Sequence, residues 1–129
     1  MSAIGAVSIY MCATISTGQQ REKSEIDNLL AENKAIAQAN ASLNRTYQKI
    51  IATLDGQITA GDLSTKNLKN ALIEAERAWI KWRDAEALLR AYAGGAEGGS
   101  ALNEDLHSAL MDLINERQKY LEGLKLSGN

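Results

Sequence analysis

Apolar residues recur every three or four positions along most of the chain. Ile26, Leu29, Leu30, Ile36, Leu43, Tyr47, Ile50, Ile51 and Leu54 keep that spacing, as one face of a helix turned to a core must. The pattern predicts a first helix from Ser24 to Leu54, with Ser24 as N-cap and Glu25 and Asp27 favourably placed at the positive end of its dipole. Asp55-Gly56 should end it, DGQITAGD should form a turn, and Asp62 or Ser64 should cap a second helix. There Leu68, Leu72, Ala75, Trp79, Trp82, Glu86 and Leu89 alternate by four and three. GGAEGGS, residues 94–100, interrupts the chain through its glycines. Ser100 then caps a third helix, whose pattern runs through Leu102, Leu106, Leu110, Leu113, Arg117, Tyr120 or Leu121, and Leu124.

Connections this short imply antiparallel neighbours. The expected fold is all-α: an antiparallel three-helix bundle over residues 19–129, preceded by an apolar N-terminal segment, residues 1–18. At about 100° per residue, Leu72, Ala75, Trp82, Glu86 and Leu89 fall on the Trp79 side of the second helix. Ile73, Ile80 and Ala87 form a second stripe, with Glu76 and Arg83 between the two. Two stripes serve two neighbours, so the second helix is expected to be central and its tryptophans core.

Arg83 and Glu86 should then be at least half-buried. An unpaired buried charge costs several kcal/mol, so pairs are expected: Glu86–Arg117 and Glu76–Arg83, with intrahelical pairing of Glu86 to Arg83 or Arg90 as the alternative. Asn33, Asn40 and Asn44 lie on or beside the apolar face of the first helix. Amides there need partners, and Arg83 is a candidate for one.

Composition narrows the function. A chain of 129 residues points to one domain. Proline and phenylalanine are absent, which suits helices. The net charge of −2 and the lack of a basic stripe argue against nucleic acid as a partner. One cysteine, Cys12, excludes an intrachain disulfide, and one histidine, His107, leaves little for metal chemistry. His107 reads as a helix-surface residue near Glu104 and Asp105. No nucleophile motif or phosphate-binding loop occurs, so no metal, no cofactor and no catalytic residue is expected, and the chain reads as a non-enzyme. The first charge is Arg21, and residues 3–15 are largely apolar but too short to span a bilayer. They read as the core of an export signal without its basic start, with Ser16-Thr17-Gly18 offering small residues for cleavage. The other reading is an apolar helical extension that packs on the bundle.

Three blocks together resemble a known family. ANASLNRTYQKIIATL (39–54) is similar to its D-x-x-L-N-x-x-Y element. AERAWIKWRDAEALL (75–89) is similar to A-Q-R-x-W-x-x-[YF]-R-D-x-x-C, and HSALMDLINERQKYLEGL (107–124) to C-L-x-x-L-T-x-x-R-x-x-x-L. These mark the LprI-type lysozyme-inhibitor family of small exported helical bacterial proteins. Leu43, Asn44 and Tyr47 match the first block, Trp79, Arg83 and Asp84 the second, and Leu113 and Arg117 the third. Trp82 and Glu86 lie in the same stretch. Asn40 stands where the family has Asp, Glu76 where it has Gln, and Ile114 where it has Thr. Ala87 and Ala109 occupy the two positions at which the family carries the cysteines of an implied disulfide.

The resemblance implies an exported, periplasmic or secreted protein that binds a lysozyme-like glycosidase and occludes its cleft. The loop residues Gly95, Glu97, Gly98, Gly99 and Ser100 are the expected contact, because glycines permit close backbone approach. Glu97 would be repelled by catalytic carboxylates, so Ser100 or a backbone N–H is the better probe. The alternative is an envelope adaptor without inhibitory activity, forming a homodimer through Ile26, Leu29 and Leu30 of the first helix. Neither reading requires a membrane span.

Overall fold

The computed structural model describes residues 17–62, 64–96 and 99–126. Every regular element among them is a helix: α1 (Thr17–Glu32), α2 (Lys34–Thr59), α3 (Thr65–Ala93) and α4 (Gly99–Glu122). The all-α expectation is met, but the described residues form four helices, not three. Residues 1–16, with Cys12 and most of the expected export segment, lie outside the described residues, as do Glu97 and Gly98.

The expected first helix is broken at Asn33. Its backbone is extended, with φ −76° and ψ 114°, and its side-chain oxygen accepts the Ile36 N–H at 3.2 Å. A short amide side chain competes with the helical backbone and favours such a cap. The step is tight, since the Asn33 N–H still donates to the Leu29 carbonyl at 3.2 Å. Ser24, expected as an N-cap, sits inside α1. The Asp55-Gly56 stop is overridden, because α2 continues one turn to Thr59. Asp55 there pairs with Lys69 of α3 at 2.6 Å, and Thr65 Oγ1 reaches Gln57 Oε1 at 3.3 Å. The chain turns instead at Gly61, whose φ of +102° suits a residue without a Cβ. Of the two expected caps, Ser64 precedes α3 but makes no side-chain cap bond. Its hydroxyl donates to Asp62 Oδ1 at 2.7 Å. That bond, with one from Thr65, holds the Asp62 carboxyl below the usual carboxylate range.

The central helix is α4, not the tryptophan-bearing helix. It packs on α2 and on α3 more extensively than those two pack on each other. Leu102, Leu106, Ala109, Leu110, Leu113, Ile114 and Leu121 are all buried, an arc wide enough for two neighbours. At the alternative position Leu121 is buried and Tyr120 exposed. The apolar positions of the first expected helix behave as predicted. Ile26, Leu29, Ile36, Leu43, Ile50 and Leu54 are buried, with Leu30, Tyr47 and Ile51 half-buried. The stripe suggested for a dimer through that helix is therefore turned inward.

The second expected helix, α3, is rotated by about one residue from its predicted setting. Its buried positions are Thr65, Leu72, Glu76, Arg83, Ala87 and Ala91. Ala87 and Ala91 add little bulk, and the charges find partners inside. Trp79 is half-buried against the core and Trp82 is 48% exposed, so the expectation of two core tryptophans fails. Ile80 of the second predicted stripe is also exposed, whereas Ala87 is fully buried.

Candidate functional site

The first two motif blocks line one groove, and Arg117 of the third reaches its Glu76 and Trp79 from α4. The groove has a volume of about 380 Å³, and Asn40, Leu43 and Asn44 of α2 face Glu76, Trp79 and Arg83 of α3 across it. The α2 residues recur at three- and four-residue steps and so share a face. On α3 the same holds for Glu76, Trp79 and Arg83.

The floor of the groove is charged and largely buried. Arg83 is only 5% exposed. Its Nε donates to Asp84 Oδ1 at 2.9 Å, and its Nη2 lies 2.8 Å from the same oxygen. Glu76, also buried, accepts from Arg117 Nε of α4 at 3.0 Å. Both guanidinium groups lie over the Trp79 ring, Arg83 at 5.5 Å and Arg117 at 5.6 Å from its centroid. Arg117 also lies 5.1 Å from the centre of the Tyr120 ring. Each contact of this kind contributes up to about 2 kcal/mol when desolvated. The expected pairs are thus exchanged. Glu76 takes Arg117 and not Arg83, whereas Glu86 takes the intrahelical alternative, Arg90, at 3.0 Å. The sequence places Asp84 beside Arg83 but does not show that the acid turns back onto its neighbour.

Tyr47 sits half-buried above this cluster. Burial first, and the nearby Glu76 carboxylate second, push its phenol pKa above the ordinary value of 10.0. The amides of α2 have separate fates. Asn40 and Asn44 line the groove, while Asn33 Nδ2 donates to His107 Nδ1 of α4 at 3.3 Å. His107 is accordingly half-buried at a helix contact, not a plain surface residue.

The structure does not bring every expected residue to the groove. Trp82 points to the outside of α3 and Glu86 lies a turn beyond Arg83. The glycine loop begins about three turns further along α3 than Arg83. There Gly94 and Gly95 are exposed, Gly95 has φ +97°, and Ala96 tucks into the core with its N–H on the Ala91 carbonyl at 3.1 Å. Gly99, at φ +65°, starts α4. Ser100 lies in its first turn, not before it. Among the described residues no group of His, Cys, Asp and Glu is placed to hold a metal, and no helix is long and apolar enough to cross a membrane.

The family model described as Lysozyme inhibitor LprI matches residues 12–121. The chain belongs to the LprI lysozyme inhibitor family. An uncharacterised protein of Rhizobium meliloti (strain 1021) is 27% identical over 133 aligned residues, which cover 95% of this chain and 94% of that one. No solved structure matches. In this LprI chain, the positions that carry the resemblance divide by burial. Leu43 and Leu113 are core, Arg83 is buried, Arg117 is half-buried against Glu76, and Asn44 faces solvent at the groove rim. Ala87 and Ala109, where the sequence resemblance implies cysteines, are both buried, at 0% and 5% exposure, on helices that pack together.

Proposed function

We propose that the protein is an exported binding protein that inhibits lysozyme-type muramidases by occluding the active cleft. The family match over residues 12–121 carries this reading. The cluster of buried Glu76 and Arg83 with half-buried Trp79 and Arg117 serves as scaffold, stiffening an antiparallel arrangement of the long helices. The inhibiting element is the loop 94–100, with Gly95, Glu97, Gly98, Gly99 and Ser100 as contact residues. A glycosidase of this type holds two carboxylates in an open cleft. A glycine-rich backbone, anchored by Ala96, brings N–H groups close to them without side-chain bulk. Periplasmic or secreted localisation follows from the target.

Mixing the protein with hen-type lysozyme on a cell-wall substrate tests the reading. Dose-dependent loss of lysis is expected, and Ser100→Trp should abolish it while leaving helicity intact. No inhibition at large molar excess would reject it. The second reading, a helical envelope adaptor without inhibitory activity, gains support from the exposed apolar side chains of α3, which the loop mechanism does not use.

A further inference from the structure

Leu68, Ala71, Ala75, Ala78, Trp82, Ala85, Leu89 and Tyr92 follow one another at strict three–four steps along α3, and every one is exposed. Such spacing makes a continuous seam of the coiled-coil kind. It runs about 36 Å, on the side of α3 away from Arg83. A solvent-facing seam of this length marks an interaction surface.

We infer that a second copy of this chain packs antiparallel on the seam. The order of side-chain sizes carries the inference. A twofold midway between Ala78 and Trp82 opposes Trp82 with Ala78, Leu89 with Ala71, Ala75 with Ala85, and Leu68 with Tyr92. Each exposed large side chain of the central pairs thus meets an alanine, as self-complementary packing requires. The Leu89 pairing also meets a preformed receptor. Leu68, Ala71, Leu72 and Ala75 are the four corners of a knob-accepting hole. Tyr120 of α4 and Leu124 just beyond its end deepen it to a crevice of about 170 Å³. Leu89, 62% exposed, is the knob that the twofold delivers to it. Charges agree: Glu74 and Lys81 ride the same flank, so Glu74 of one copy lies on the same side of the seam as Lys81 of the other.

Sedimentation of the full chain from about 1 to 100 μM tests this. The wild type should dimerise within that range. Leu89→Glu should be monomeric with unchanged helicity, since the site is exposed. Ala71→Leu and Leu89→Ala should each raise the dimer dissociation constant about tenfold or more, and the double variant should recover most of the loss. Only antiparallel pairing opposes those two positions, so no recovery would overturn the geometry. A dimer that survives Leu89→Glu would overturn the seam. A wild type that stays monomeric throughout would also overturn it, whether the seam is then covered by residues 1–16 or serves a different protein.

Discussion

Arg83, Glu76 and Arg117 show how a helical protein pairs charges that it draws largely out of solvent. Removing one member of a buried pair costs about 3–5 kcal/mol, because the other is left uncompensated. Arg117→Ala should therefore destabilise by that amount in chemical denaturation. Glu76→Leu combined with Arg117→Met should recover most of the loss, since an apolar pair of similar size is often neutral. A double variant no more stable than the single would show that Trp79 stacking, not the ion pair, is what Arg117 supplies. Tyr47 gives a pH-dependent readout of the same cluster. Its folded pKa is raised, so its contribution is fully present below the unfolded tyrosine value near 10 and is lost as pH rises through the folded one. Stability of the wild type should fall more steeply than that of Tyr47→Phe above about pH 10.

At the scale of elements, the sequence showed the helical class, the buried face of α1 and α2, and the leucine line of α4. These faces hold large aliphatic residues at helical spacing, and burial of such residues dominates the energy. It did not show the rotation of α3. There the four–three stripe through Leu68, Ala75, Trp82 and Leu89 competes with a polar one through Glu76 and Arg83, and hydrophobicity alone picks the wrong side. Ala71, Ala78 and Ala85, spaced like the tryptophan stripe, were the available hint that the apolar face extends outward. For the candidate site, the motif residues were identifiable, but their pairing was not, because it depends on that rotation. The Asn33 break was also unread, since asparagine inside an apolar periodicity looks like a tolerated polar residue. Asn33→Ala should cost about 1–2 kcal/mol through the lost cap, measurable by urea denaturation. The packing of α3 on α4 makes a second expectation. Ala87→Cys with Ala109→Cys should form a disulfide on oxidation and raise the melting temperature, with about 3 kcal/mol from the constrained unfolded chain. Failure of the two thiols to bridge would mean that the helices hold these positions beyond the Cα separation of about 7 Å that a disulfide tolerates.

Across the whole molecule, inhibition and self-association are assigned to different places, the loop at one end of α3 and the seam along its outer side. The two assignments are separable by experiment. Leu89→Glu should leave lysozyme inhibition intact, and Ser100→Trp should leave the sedimentation coefficient unchanged. If Leu89→Glu abolished inhibition, the seam and not the loop would be the inhibiting surface. The core helix has a further consequence for how the chain is made. Since α4 is the common neighbour of α2 and α3 and follows both along the chain, a nascent chain emerging at about 5–20 residues per second has little to collapse upon until residue 99 and beyond have appeared. A fragment ending at Ala96 should accordingly give the circular dichroism of a largely unfolded chain. On the exported reading, such late completion keeps the polypeptide loose while it is still being handed across a membrane, and folding is postponed to the far side.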